Sequence, residues 1–124
     1  MIPLAHLCAY FYNVEIMNDD HYLGEFEQLV LLSVLRLGEV AYGMSVRSEL
    51  LARARRDASI GAVYSTLDRL QEKGLVTSRH ATGPASREGR ARRLFQVSVA
   101  GRLALERVHA TLARMTEGLD LGHS

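Results

Sequence analysis

Apolar residues recur at the spacing of an α-helix in four stretches of the chain, and two shorter stretches favour β-strands. The predicted helices span residues 23–37, 43–55, 59–74 and 98–118. The predicted strands, residues 75–79 and 93–97, flank a Gly83-Pro84 turn between the third and fourth helices. The pattern therefore predicts a mainly α fold with a small β-hairpin.

The first two predicted helices supply much of the apolar surface. The first is apolar around most of its circumference, which indicates contact with more than one neighbour. Glu25 and Glu27 lie in its first turn, where carboxylates favour the helix dipole, and Gly38 ends it. In the second helix the side chains expected to face inward are those of Met44, Val46, Leu50 and Leu51.

The third predicted helix has clear ends and two different faces. Ser59 is a good N-cap and Gly74 is a good residue just beyond the C-terminus. At 100° per residue, an arc of about 80° contains four apolar side chains that are expected to face the core: Ile60, Val63, Leu67 and Leu70. The opposite face carries small or polar residues, with Tyr64 and Thr66 on its flanks: Gly61, Ala62, Ser65, Arg69, Glu72 and Lys73.

This second face suits a DNA major groove. Small side chains let the helix backbone approach closely, while serine and threonine can contact base edges or phosphates. Arg69 and Lys73 are expected toward the groove wall, and the Tyr64 hydroxyl toward a phosphate or the second helix. Asp68 and Glu72 should point away from phosphate or pair with an arginine. Taken alone, the helix fits an ordinary amphipathic surface helix equally well.

The predicted hairpin is rich in arginine. Residues 79–93 hold one acid and five arginines, namely Arg79, Arg87, Arg90, Arg92 and Arg93. The guanidinium group suits phosphates and narrow minor grooves because it is planar and binds bidentately. A solvated charged loop is the usual explanation for such a run. Its position directly after a candidate recognition helix favours the wing of a winged helix-turn-helix.

The last predicted helix carries a heptad-like seam with spacings of 3, 4, 3 and 4, formed by Leu105, Val108, Leu112, Met115 and Leu119. Two heptads are too short for a free coiled coil but long enough to dock on another apolar helix. Packing within the chain is one explanation for this seam. We favour the other, a homodimer contact made by a C-terminal dimerisation helix.

Composition and charge narrow the class of protein. The 124 residues fit one domain, and Cys8, the single cysteine, excludes an intramolecular disulfide and suits a reducing compartment. Residues 1–40 hold one basic and six acidic residues, whereas residues 41–93 hold eleven basic and five acidic ones. The net charge of the whole chain is only +1, and this near-neutral value conceals a basic middle segment. Without a long apolar run or a secretory signal, we expect a cytoplasmic protein with no membrane contact.

Several of these segments together resemble the PadR family of bacterial transcriptional regulators, over about residues 23–101. The resemblance is carried by the first helix from Leu23-Gly24-Glu25-Phe26, by Ala41-Tyr42-Gly43 and by Ser59-Ile60-Gly61-Ala62-Val63-Tyr64. It continues through Leu67-Asp68-Arg69-Leu70, Lys73-Gly74-Leu75-Val76 and Gly89-Arg90-Ala91-Arg92-Arg93-Leu94-Phe95. Any one of these segments alone would be weak evidence; their order makes the match specific.

The resemblance implies a homodimer that binds an inverted-repeat operator in double-stranded DNA, usually to repress, and is released by a small molecule or stress signal. On this basis the residues that meet the groove are Ser59, Gly61, Ala62, Tyr64, Ser65 and Thr66. Ala41, Tyr42 and Gly43 would contact the DNA backbone, and the wing arginines would hold flanking phosphate or minor groove. The single helix after the wing resembles the smaller PadR subfamily, in which an effector would bind at the dimer interface.

The resemblance also divides the chain. Residues 1–22 form an N-terminal extension, residues 23–97 the winged helix-turn-helix, and residues 98–124 the dimerisation helix and tail. Residues 1–16 have no counterpart in the family pattern, so we hypothesise that Met17 is the initiator. Ser98-Val99-Ala100-Gly101 stands where the family more often has Thr-Pro-x-Gly, and both sequences can cap a helix.

Other functions fit the sequence less well. The five histidines are scattered, without metal-ligand spacing or a nearby nucleophile, so we expect no enzyme, metal site or cofactor. A winged helix can also serve as a protein-binding adaptor. Five wing arginines argue against that alternative, and the salt dependence of binding would separate it from DNA recognition.

Overall fold

The computed structural model describes residues 23–81 and 92–122. Helix α1 spans Glu25–Leu37, and a short 3₁₀ turn, Gly38–Val40, leads to α2, Gly43–Ala54. Helix α3 spans Ile60–Glu72, strand β1 Val76–Ala81, strand β2 Arg92–Val97 and helix α4 Val99–Thr116. This architecture confirms the predicted mainly α fold with a small hairpin and a C-terminal helix. The predicted Met17 start, with the rest of residues 1–22, lies outside the described residues.

The helix ends follow from the capping residues that the sequence offers. Gly38 ends α1 with φ +61°, and Gly74 follows α3 with φ +76°, a conformation that suits glycine. At the start of α3, the Ser59 Oγ accepts a hydrogen bond from the Ala62 N–H at 3.0 Å. Ser98 caps α4 in the same way, accepting from the Gly101 N–H at 3.0 Å.

The first three helices enclose the core. Their fully buried side chains are Val30, Leu31 and Val34 from α1, Val46 and Leu50 from α2, and Val63, Leu67 and Leu70 from α3. Two predicted core residues of α2 are instead exposed, Met44 and Leu51. Val46 and Leu50 are four residues apart and form one stripe on the short helix, whereas Met44 and Leu51, seven residues apart, share another face roughly 120–140° around the helix axis from that stripe.

The hairpin is anchored to the helices at its base. Strands β1 and β2 pair antiparallel, from Val76 opposite Val97 to Ala81 opposite Arg92. Phe95 of β2 is buried, and its N–H donates to the Ala41 carbonyl at 2.8 Å. Strand β2 is thus tied both to β1 and to the segment between α1 and α2, which fixes the hairpin beside the helix-turn-helix.

Helix α4 crosses the base of the hairpin and then leaves the core. Ala104 and Leu105 are buried, and Val108 packs against the same core. The seam assignment of Leu105 is therefore corrected, because Leu105 packs within its own chain, whereas Val108 is half-buried. Leu112 and Met115 further along α4 are 55% and 71% exposed, whereas Leu119, predicted on the same helix, lies beyond its end at Thr116 and is 61% exposed. Of the helices in residues 23–81 and 92–122, none is long and apolar enough to cross a membrane.

Candidate nucleic-acid interface

The outer face of α3 is an exposed surface with small side chains near its N-terminus. Gly61, Ala62 and Ser65 are exposed, as is the N-cap residue Ser59. The opposite side of the helix is held by Val63, Leu67 and Leu70, none of which reaches solvent. This arrangement leaves the backbone of the first two turns accessible to a flat or grooved partner.

Thr66 does not belong to this surface. Its residue is only 3% exposed, so the predicted contact with the groove is wrong. Thr66 lies about 60° from Val63 around the helix axis, just outside the arc that the apolar residues define. The buried arc extends to Thr66 on this side, while Ile60 on the other side is only half-buried. A threonine presents a methyl group as well as a hydroxyl, which suits such a boundary position.

Lys73 is also withdrawn from the predicted interface. Its Nζ lies 2.9 Å from Glu27 Oε2 and 3.1 Å from Oε1, and the two side chains are only 19% and 9% exposed. Because a buried carboxylate requires a partner, the ammonium group is committed to Glu27 of α1. The assignment of Lys73 to the groove wall is corrected on this basis.

Arg69 remains on the exposed surface. Its side chain is 54% exposed, and its Nη1 lies 4.0 Å from Glu27 Oε2, at the edge of ion-pair distance. Since Lys73 provides the closer partner for that carboxylate, Arg69 can turn toward a phosphate at small electrostatic cost.

The start of α2 presents one of its three predicted residues. Ala41 has no exposed surface and Gly43 is buried, so neither residue presents a surface for the predicted DNA contact. Tyr42 is half-buried, and the Arg92 guanidinium stacks on its ring with 4.0 Å between Cζ and the ring centroid. Tyr42 and Arg92 therefore form one unit between the helix-turn-helix and the hairpin.

Gly43 is buried because Tyr64 lies against it. A Cβ at position 43 would overlap the Cζ and hydroxyl of the Tyr64 ring. The ring of Tyr64 thus packs on the N-terminus of α2, one of the two orientations that the sequence allowed. Tyr64 keeps 37% exposure.

The described part of the hairpin presents two of the predicted wing arginines. Directly paired residues share a face of a hairpin, so Arg79, which pairs with Leu94, lies on the same face as Arg92. Arg79 is exposed and Arg92 is half-buried against Tyr42. The other two predicted wing residues, Arg87 and Arg90, lie outside the described residues.

Arg93 has a different role from its neighbours on the wing. It lies on the opposite face of the hairpin and contacts α3, donating from Nη1 to Asp68 Oδ1 at 2.8 Å and from Nη2 to Gln71 Oε1 at 2.7 Å. Asp68 thus pairs with an arginine, one of the two arrangements that the sequence predicted for it. The arginine count along the sequence did not distinguish Arg93 from the others, but the alternation of faces along a strand could have done so.

A second structural arginine holds the turn between α2 and α3. Arg47 Nε donates to the Ala58 carbonyl at 2.9 Å, and Nη2 lies 3.9 Å from Asp57 Oδ1. Arg55 adopts the left-handed conformation, with φ +55°, at the end of α2. These features fix the segment that sets the angle between the two helices. Nothing in the hydrophobic pattern marked Arg47.

The surface between the hairpin and the helices holds a small depression of about 80 Å³, partly lined by Gly38, Arg79 and Phe95. This volume is far below that of a typical site for a drug-sized molecule. The effector pocket expected at a dimer interface would be formed with a second copy of the chain, so this depression does not correspond to it.

Comparison with known proteins adds a family match. The model of the transcriptional regulator PadR-like family matches residues 31–107. No curated protein matches the chain. Among solved structures, a PadR-like transcription factor from Bacteroides fragilis is 23% identical with a TM-score of 0.63, over 87% of this chain and 96% of that one.

Two further structures extend the comparison. A PadR family transcriptional regulator from Eggerthella lenta is 24% identical with a TM-score of 0.59, over 90% of this chain and 93% of that one. BpsR of Bordetella bronchiseptica, whose DNA binding is regulated by 6-hydroxynicotinic acid, is 18% identical with a TM-score of 0.54 over 98% and 86%. At these identities the structures establish a shared fold.

Proposed function

Because the chain belongs to the PadR-like family of transcriptional regulators, we propose that it binds an inverted-repeat operator as a homodimer and represses transcription until a small-molecule or stress signal releases it. The observation that carries this proposal is the outer face of α3. Gly61, Ala62 and Ser65 form an exposed surface that a major groove can admit, on a helix whose opposite side is fully packed.

The charged groups around α3 support the same partner. Arg69 on α3 and Arg79 on β1 are exposed, and Arg92 extends from β2 across Tyr42. Asp68 is neutralised by Arg93, so its charge opposes a phosphate less strongly. The proposed DNA contacts are Ser59, Gly61, Ala62, Tyr64, Ser65, Arg69, Tyr42, Arg79 and Arg92, with Arg87 and Arg90 as sequence-based additions.

The exposed end of α4 supports the dimer. Leu112 and Met115 continue along α4 the seam that begins with the buried Leu105, Leu119 follows just beyond the end of the helix, and α1 leaves Leu32 partly exposed. An apolar stripe of this kind is stabilised by a second helix, and a twofold dimer presents two copies of α3 to two half-sites. The seam of the proposed dimer therefore consists of the half-buried Val108 with Leu112 and Met115 on α4, and of Leu119 just beyond the helix.

The proposal also includes a small-molecule effector. BpsR shows that a protein of this fold can couple DNA binding to a small molecule, and we place the corresponding site of this chain at its dimer interface. A signal acting there would change the separation of the two α3 helices and hence the fit to two half-sites.

Direct binding measurements test the proposal. Fluorescence anisotropy with labelled duplexes from the DNA just upstream of the reading frame should find a segment that binds more tightly than a shuffled duplex. The affinity should fall steeply with salt, with a log–log slope of about −0.9 per phosphate contact. Binding that is independent of salt, or absence of binding, would favour the protein-binding adaptor.

Variants of the wing and of α3 separate the roles of these two elements. Arg92→Ala should weaken binding to every duplex by a similar factor and flatten the salt slope, as should Arg90→Ala. Ser65→Ala should change the ratio of affinities between operator variants instead. Arg102→Ala, at an exposed position of α4, is the control. A wing variant that altered only sequence preference would contradict the assignment of roles.

A further inference from the structure

We propose that Arg93 is a positioning residue that holds the hairpin against α3 and so sets where the wing arginines meet DNA. This inference rests on the proposed DNA-binding function and assigns Arg93 a role distinct from phosphate contact. The guanidinium group of Arg93 has a defined geometry. It lies over the Phe95 ring, with 4.7 Å between Cζ and the ring centroid, and its edge faces α3.

The guanidinium joins three elements. Nη1 and Nη2 donate to Asp68 and Gln71 of α3, and Nε lies 3.4 Å from the Ser78 Oγ of β1. Ser78 in turn donates to Gln71 Oε1 at 2.9 Å. Because Arg93 itself is on β2, one side chain links both strands of the hairpin to one turn of the candidate recognition helix. We call Arg93, Asp68, Gln71 and Ser78 the brace.

The contacts of the brace leave the Arg93 guanidinium little freedom to bind a DNA phosphate. Its side chain is 29% exposed, and both terminal nitrogens are occupied by acceptors on α3. A planar guanidinium with two such acceptors is fixed in orientation, and moving it to a phosphate would leave Asp68 uncompensated. Arg93 therefore differs physically from Arg79, which is exposed.

The position of the brace determines its effect. Phe95 anchors the base of the hairpin in the core, while Arg93, two residues closer to the start of β2, contacts α3. On the other face, Arg92 stacks on Tyr42 at the start of α2. The hairpin is thus held from both sides above its buried base. Releasing the α3 side allows the hairpin to tilt about Phe95, which displaces Arg79 from phosphates aligned with α3.

The test uses charge-neutral and charge-changing variants of the brace. The probe is a fluorescein-labelled mixed-sequence duplex about three helical turns long, titrated over a range of salt concentrations. Gln71→Ala removes one acceptor without changing charge, and Arg93→Met removes the cation. Both should lower affinity several-fold and make the log–log salt slope shallower by about one unit, the equivalent of one phosphate contact. The double variant should be no weaker than Arg93→Met, because both changes release the same brace.

Matched controls are Gln96→Ala, an exposed residue of β2 outside the brace, and Arg102→Met on α4, which should leave affinity and slope unchanged. Thermal unfolding of each variant verifies that it is folded, and amide hydrogen exchange should be faster in the hairpin of Gln71→Ala but not in α1. This second readout is independent of DNA.

The outcomes are distinct. If Arg93→Met weakens binding while Gln71→Ala does not, Arg93 contacts phosphate directly and the positioning role is overturned. Additive losses in the double variant, or unchanged binding by both single variants, overturn it as well. If the wild-type protein does not bind the duplex at any salt concentration, the proposed DNA-binding function fails, and this inference fails with it.

Discussion

Gly101 and Gly61 both lie in the first turn of a helix, but Gly101 is closely packed whereas Gly61 faces open space. Gly101 lies where α4 crosses the base of the hairpin, and a Cβ there would overlap the Leu75 carbonyl oxygen and approach Val97 Cγ1 to 2.9 Å. That carbonyl also accepts the Ser98 N–H at 3.0 Å, so it cannot move without loss of a hydrogen bond. A Cβ at Gly61 would have Ser59 Oγ, 4.0 Å away, as its nearest neighbour.

We therefore expect opposite effects of alanine at the two positions. Gly101→Ala should lower the free energy of unfolding by about 1–3 kcal/mol, because the fixed backbone of Leu75 must shift. Gly61→Ala should raise it by about 0.5–1 kcal/mol through reduced backbone entropy, yet weaken DNA binding by adding bulk at the proposed groove contact. Urea denaturation and DNA anisotropy on both variants measure these effects. Equal stability of the two variants would contradict the packing described for Gly101.

Sequence reasoning at this scale succeeded where a residue's role depends on its near neighbours along the chain. Ser59, Gly74 and Ser98 were assigned as helix-end residues correctly, because capping is a local geometry. Thr66 and Lys73 were misplaced because their roles depend on contacts outside α3. The phase of one helix does not show that Glu27, 46 residues away in the sequence, accepts from Lys73.

At the scale of elements, Glu27 connects the first helix to the candidate recognition helix. Its Oε1 accepts from the Gly24 N–H at 3.0 Å and from Lys73, so one carboxylate closes the start of α1 and the end of α3 together. The sequence predicted that Glu27 favours the dipole of α1, which its position in the first turn supports. Its greater role is the contact between helices.

Removing this charge should loosen the two helices. We expect Glu27→Gln to lower the free energy of unfolding by about 1–3 kcal/mol, because a mostly buried ion pair with Lys73 is replaced by a weaker, neutral hydrogen bond. The matched control is Glu25→Gln in the same turn, where the carboxylate is 76% exposed and pairs with Arg56. This control should cost about 0.5 kcal/mol or less. Thermal or urea unfolding measures both, and similar losses would show that the contact between Glu27 and Lys73 contributes little.

Hydrophobic periodicity predicted every described helix to within a few residues, and both strands in the correct order. It was less accurate about how wide a stripe each helix buries. Met44 and Leu51 are apolar, yet α2 is covered only along Val46 and Leu50. The width of a buried stripe depends on how many neighbours the helix has, and that information lies in the packing of α1 and α3 around it.

At the scale of the whole molecule, α4 divides the heptad-like seam between two environments. Leu105 belongs to the core of its own chain, whereas Leu112 is more than half exposed. The sequence offered packing within the chain and a dimer contact as alternatives for the entire seam. In the described structure Leu105, at the start of the seam, packs within its own chain. The exposed remainder of the seam is the part for which we propose a contact with a second copy of the chain.

A charge in the exposed part of the seam should dissociate the proposed dimer. Leu112→Asp removes an apolar side chain twice in a symmetric interface, at about 1.5–3 kcal/mol for each copy, so the dimer dissociation constant should rise by about 10²–10⁴. Leu103→Asp is the matched control, because residue 103 lies on the opposite side of α4 from residue 112. Sedimentation velocity distinguishes monomer from dimer, with circular dichroism as a check of folding. A Leu112→Asp protein that still sediments as a dimer would place the interface elsewhere.

The fit of the Tyr64 ring over Gly43 limits how this protein can be re-engineered. Positions 61, 62, 65 and 69 can be exchanged without touching the core, so they form a module for grafting the DNA preference of a relative onto this scaffold. Position 64 is not part of that module, because the Tyr64 ring occupies the space that a side chain at position 43 would need. A larger library that varies position 64 must vary position 43 with it, or it will select for repacked helices rather than for new operators.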